Sequence, residues 1–125
     1  MIGSILAYIG AFLALGWGIA HLFPTRNVVS SFGEISADNK RTITMEWITE
    51  GVALIFMGVL VAAVTYLDRI SLVSRAIYWM TFGALNTLSL VSLFTGFRNS
   101  LLPFKLCPFI FTGSSLLIII GSYLK

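Results

Sequence analysis

Four long apolar runs leave this chain few folds to choose from. They cover residues 1–23, 51–67 with a less polar lead-in over 43–50, 76–97 and 106–124, and none of 1–23, 51–67, 76–97 or 106–124 contains Asp, Glu, Lys or Arg. Crossing the hydrocarbon of a bilayer takes about 20 apolar residues at a rise of about 1.5 Å each. Inside lipid, every backbone N–H and C=O must be bonded within the protein, so only helices or a closed barrel can span. The strict alternation of a barrel strand is absent. Hydrophobic residues make up 58% of the chain and charged ones 10%, against about 25% charged in soluble domains. The expected fold is therefore all-α: one transmembrane domain over 1–125, with helices at about 2–23, 43–67, 74–97 and 104–124.

Short connections join three of the four runs, which predicts an antiparallel, up-down-up-down four-helix bundle. The first connection is longer. Within it Val28, Val29, Phe32 and Ile35 fall on one helical stripe, so a short amphipathic helix is expected to lie at the interface and cap the bundle. Gly18-Ile19-Ala20 has the small-x-small pattern of a signal-peptidase site, but no basic segment precedes the apolar run, so it reads as a retained span. The net charge of +3 is scattered, with no basic run, which argues against a nucleic-acid partner. The single cysteine, Cys107, cannot form a disulfide within the chain.

Topology sorts the charges onto two sides. The end of the first span, the start of the second, the end of the third and the start of the fourth share one side, called side A. Arg26, Lys40, Arg41, Arg98 and Lys105 lie there, against Arg69, Arg75 and Lys125 on side B. The excess leans towards a cytoplasmic side A, and the inner or plasma membrane is the expected location.

Against this apolar background, three acid/base side chains on side A stand out. His21 closes the first span just before Pro24, where proline restricts the preceding residue and helps end the helix. Glu46 and Glu50 are four apart and share a face of the second helix. Ionisable groups within a span are costly and mark functional sites. Two carboxylates one turn apart in a low dielectric resist ionising together, and Glu50, roughly 12 Å inward if the helix starts near Thr42, is the one expected to hold a proton. Trp17, Trp47, Asn86 and Arg98 complete the candidate ligand-binding set with His21, Glu46 and Glu50. Each has a plainer use: Glu46 as a first-turn acid, Asn86 as interhelical glue, Arg98 as a snorkelling cation, the tryptophans as interface anchors. Gly10, Ala14 and Gly18, and Gly58 and Ala62, form small-residue faces suited first to packing within the chain and second to a homodimer. One histidine supplies neither a haem-holding pair nor a metal cluster, so no cofactor and no metal are expected.

The run Leu15-Gly16-Trp17-Gly18-Ile19-Ala20-His21-Leu22-Phe23-Pro24, followed by an amphipathic loop and Thr49-Glu50-Gly51-Val52-Ala53-Leu54, resembles the DoxX-like group of small four-helix membrane proteins. The likeness covers the first half of the chain. It implies that His21, Glu50 and Gly51 belong to a polar pocket, and that the chain is an accessory membrane subunit tied in some members to quinone-linked redox chemistry. Small multidrug-resistance transporters are similar in size, but their essential glutamate lies in the first helix, which has none here. Sterol-isomerase-like proteins use the same residue types at a spacing this chain does not reproduce.

Three functions fit these residues. The first is a pocket on one membrane side that binds a lipophilic small molecule (lipid, quinone or sterol-like) or a membrane protein partner. The second is a membrane-embedded enzyme performing isomerase-type acid/base chemistry on a lipid, with Glu50, His21 and Glu46 as catalytic groups. The third is a proton-coupled small transporter. The residues alone do not decide whether the chain is an enzyme.

Overall fold

The computed structural model describes residues 1–99 and 101–125. Its elements are α1 (Ile2–Leu22), α2 (Thr25–Ser30), α3 (Ala37–Asp68), α4 (Leu72–Val91), a π-helical turn (Ser92–Gly96) and α5 (Leu102–Tyr123). Four helices, with α4 continued through the π turn, are long and apolar enough to cross a membrane. The chain thus has the architecture of a multi-pass, all-α membrane bundle.

Local chemistry sets the boundaries. Phe23, before Pro24, keeps helical angles (φ −62°, ψ −47°), and it is Pro24 (φ −85°, ψ 9°) that leaves the helical region. Pro24 therefore ends α1 by turning the chain itself, and its carbonyl accepts the Val28 N–H at 2.9 Å to begin α2. The amphipathic segment is shorter than its apolar stripe implied. Only six residues are helical, with Val28 buried, while Phe32 and Ile35 lie beyond the helix end. Gly33 stops the helix at φ +73°, a left-handed conformation in which a Cβ is strained.

α3 begins at Ala37, six residues before the expected start at 43. The Ser36 hydroxyl accepts the Asn39 N–H at 3.1 Å and Asp38 occupies the first turn, so a polar sequence is held helical by its cap and by the helix dipole. At 32 residues α3 is about 48 Å long, well beyond the thickness of the hydrocarbon layer. A spanning α3 would therefore hold its polar first turns outside the hydrocarbon layer. Ser71 caps α4 by accepting the Ser74 N–H at 3.1 Å. Pro103 sits in the first turn of α5, where its missing N–H costs nothing.

α1 is the central helix, flanked by α3 and α5, while α4 leans on α5 and meets α3 more sparingly. Close approach depends on missing side chains. A Cβ on Gly18 would lie 2.6 Å from the Gly51 carbonyl oxygen, one on Gly58 2.6 Å from that of Ala11, and one on Gly10 2.7 Å from that of Ser114. The small-residue faces therefore serve packing within the chain. Their apolar filling is Leu54, Val61, Tyr78, Leu85, Phe111 and Ile118, all fully buried. Phe12, Phe56, Met80 and Phe109 remain exposed, as lipid-facing side chains should be.

The two ends of the bundle differ. On side B, Thr65 Oγ1 and Tyr78 OH are 2.9 Å apart, joining α3 to α4, and the Ser74 hydroxyl donates to the Asp68 carbonyl at 2.5 Å. There too Arg69 Nη1 donates to the carbonyls of Gly121 (2.7 Å) and Leu124 (2.6 Å), a cation on the C-terminal carbonyls of α5. On side A, α3 and α4 part. The space between them is the site.

Candidate functional site

The last turn of α1 brings His21 against α3. Trp47 and Glu50 are three residues apart, hence neighbours on one helix face, and the imidazole lies between them. The Trp47 indole stacks on it with ring centroids 4.0 Å apart and planes 17° from parallel. The same indole donates its N–H to the His21 carbonyl at 2.5 Å, so one side chain fixes both the ring and the backbone of His21. Gly51 makes room, since a Cβ there would come within 3.3 Å of the His21 Cβ. Phe104 of α5 supports Trp47 from behind at 5.4 Å, and Trp17 meets His21 edge-on at 6.4 Å.

His21 is 3% exposed and its Nε2 faces Glu50 Oε2 at 3.4 Å, a charge-pairing distance. The pair is not closed by a hydrogen bond. Among the described residues His21 Nε2 and Trp17 Nε1 are buried nitrogens with no hydrogen-bond partner. Glu50 itself is half-buried, with one side towards His21 and the other towards open space.

That space is a cleft with two lobes. The narrower, about 290 Å³, is lined by His21, Glu50, Ser92, Thr95 and Cys107 among others. The wider, about 450 Å³, runs along α3 past Glu46, Thr49 and Ala53. Phe32, Glu50, Leu88 and Phe104 border both lobes, so Glu50 stands at their junction. The wider lobe falls in the lower part of the range for small-molecule sites, about 300–1,000 Å³, and the narrower lies just below it. Among the described residues the lining holds two carboxylates and no lysine or arginine.

The structure brings together only part of the expected site. His21, Trp47 and Glu50 converge, and Glu46, an exposed side chain, joins them on the wall of the wider lobe. Trp17 lies on the far side of His21, where it borders a separate small cavity with Pro24 and Pro103. Asn86 is elsewhere: its amide donates to Ser115 Oγ of α5 at 2.9 Å and to the Phe82 carbonyl at 2.8 Å, and it borders neither lobe. The rotation of α4 aims Asn86 at α5, so it is interhelical glue. Arg98 is exposed and outside the lining.

Sequence reasoning missed Phe104, Cys107, Ser92 and Thr95. The last two lie on the π-helical turn, a rare distortion found at functional sites. No residue type announces it, although Pro108 in the neighbouring α5 hints at irregularity, since a helix-interior proline forfeits a backbone hydrogen bond.

Chemically, the cleft offers a carboxylate acceptor and an imidazole nitrogen within reach of one polar atom, under apolar walls of Phe32, Leu88 and Phe104. Among the described residues no three of His, Cys, Asp and Glu converge to hold a metal ion. The chain matches no known family, no curated protein and no solved structure.

Proposed function

We propose that this protein binds a lipophilic molecule with a polar, hydrogen-bonding head, admitted from the bilayer between α3 and α4 and held at the His21–Glu50 pair. The observation that carries this reading is His21 Nε2: buried, pointed at a carboxylate 3.4 Å away, without a hydrogen-bond partner, and bordering a cleft. A buried polar atom left unsatisfied costs about 1–3 kcal/mol. At 3.4 Å the pair leaves no room for a third atom in line, so a ligand hydroxyl must spread it; the hydroxyl then accepts from the imidazole N–H and donates to Glu50, and recovers that cost. Phe32, Leu88 and Phe104 would then face the hydrocarbon part of the ligand.

The charge of the lining narrows the head chemistry. With two acidic side chains, Glu46 and Glu50, and no lysine or arginine in the lining among the described residues, the cleft offers a phosphate or carboxylate no strong cationic partner and suits a neutral hydroxyl, as in a sterol or quinol. The likeness to DoxX-like proteins falls on the segments 15–24 and 49–54 that build the pair, and so supports a polar pocket in an accessory subunit of the inner or plasma membrane. A test is to purify the protein in mild detergent, extract what co-purifies and identify it by mass spectrometry. Wild type should retain a neutral hydroxyl-bearing lipophile at about one per chain, and E50Q and H21A should lose it. Equal lipid content in all three would refute the reading.

A catalytic role uses the same pair, since His21 and Glu50 both face the narrower lobe. Turnover of the co-purified lipophile, abolished by E50Q, would distinguish catalysis from binding.

A further inference from the structure

A second cavity lies on side A, outside the cleft, where the end of α1, the short helix α2 and the first turns of α3 meet. Its volume is about 540 Å³, and its lining has the opposite electrostatic character. Arg26 and Lys40 border it, and among the described residues no acidic side chain does. Neither cation makes an ion pair among the described residues, whereas nearby Arg41 is engaged by Asp38 at 3.2 Å. The floor is apolar, formed by Leu22, Phe23 and Val29, with Phe23 85% exposed.

We infer that this cavity binds the phosphate of an anionic phospholipid headgroup, with Arg26 and Lys40 as its donors and the acyl chains running over Phe23 and Leu22. The hydroxyls in the lining do not compete for the role. Thr25 Oγ1 donates to the Leu22 carbonyl at 2.7 Å, Ser30 Oγ to that of Asn27 at 2.9 Å and Thr44 Oγ1 to that of Lys40 at 2.7 Å. Their protons are spent on the backbone, so the two cations are left to recognise the ligand. Arginine offers a planar fork that matches two phosphate oxygens, and lysine adds a mobile point charge.

Position selects the source of the phosphate. The cavity lies at the C-terminal end of α1 and beside the polar first turns of α3, two helices long and apolar enough to cross a membrane, so in a bilayer it would fall at the depth of lipid headgroups. Basic pockets between helices at this level bind acidic headgroups, each cation contributing about 1 kcal/mol. A free phosphate would gain nothing from the apolar floor. α2 separates the two sites: Val29 and Ser30 border the basic cavity and Phe32, just past the helix end, borders the acidic cleft. Lipids are thereby sorted by head charge on the two sides of one short segment.

The test uses the full chain in a nonionic detergent, with lipid retention read by native mass spectrometry against phosphatidylglycerol, phosphatidylcholine and inorganic phosphate in separate arms. Phosphatidylglycerol should be retained at one per chain, phosphatidylcholine far less, and inorganic phosphate should neither form an adduct nor displace the lipid. The double variant R26Q/K40Q should weaken phosphatidylglycerol retention roughly thirtyfold. R75Q/K125Q, which removes the same charge on side B, should leave it unchanged. Retention by the wild type should also fall as salt is raised, a measurement that needs no variant. Equal retention of the two lipids, displacement by inorganic phosphate, an equal loss in R75Q/K125Q or indifference to salt would each overturn the assignment. None of these results depends on what occupies the His21–Glu50 cleft.

Discussion

Replacing Gly18 with alanine tests whether the α1–α3 seam is as tight as the site requires. The added methyl would stand 2.6 Å from the Gly51 carbonyl oxygen, 2.8 Å from the Ile55 backbone nitrogen and 2.9 Å from Ile55 Cγ1. Ordinary contact begins near 3.4 Å, so the helices must part by roughly 0.8 Å, and two of the three obstructing atoms are backbone that cannot rotate away. Overpacking of this kind costs about 1–3 kcal/mol. Because Gly18 lies one turn before His21, the same displacement lengthens the 3.4 Å His21–Glu50 approach. Gly16 is the control: a methyl there meets nothing within 4 Å, and exchanging a helical glycine for alanine gains about 0.5–1 kcal/mol. Gly51→Ala should fall between the two, because its nearest obstacle is the flexible end of Leu22, at 2.8 Å. Equilibrium unfolding in mixed micelles orders the three as G16A, then G51A, then G18A in decreasing stability, and lipophile retention falls only in the last two. Equal stability of G18A and G16A would refute a glycine-dependent seam.

Other outcomes follow from single contacts. Trp47→Phe keeps an aromatic ring against His21 but removes the N–H donated to its carbonyl at 2.5 Å, and should cost about 1 kcal/mol in the same assay and loosen ligand retention. Arg69→Ala removes the donor to Gly121 and Leu124; it should lower stability by about 1–2 kcal/mol and speed amide exchange at the end of α5. Asn86→Ala breaks the bond to Ser115 and should cost about 0.6 kcal/mol, the average for such bonds in membrane bundles, while leaving lipophile retention intact.

What was legible in the sequence follows from the range of the forces involved. The four spans are written in hydropathy, because desolvating a charge in lipid overrides every local preference. His21 and Glu50 were legible for the same reason, and loop connectivity placed them on one side. The start of α3 was not, since Ala37–Thr42 is polar and its helicity depends on the Ser36 cap rather than on burial. Depth alone puts Asn86 at the level of the site, whereas the azimuth of α4 is set by Ser115 and by the Ser89 hydroxyl bonding the Pro108 carbonyl at 2.9 Å. Such rotations depend on side chains about 20 to 30 residues away in the sequence, which no local pattern encodes. The π-helical turn belongs to the same class, and with it Ser92 and Thr95.

In the proposed complex a lipophile sits between α3 and α4 with its head at Glu50. Photocrosslinking with a long-chain alcohol carrying a diazirine near its hydroxyl, followed by peptide mapping, tests it most directly. Labelling should concentrate on the cleft lining, at Glu50, Leu88 and Phe104 and their neighbours, and E50Q should abolish that concentration. Labelling spread over the outward side chains Phe12, Phe56 and Met80, with the same pattern in E50Q, would contradict it.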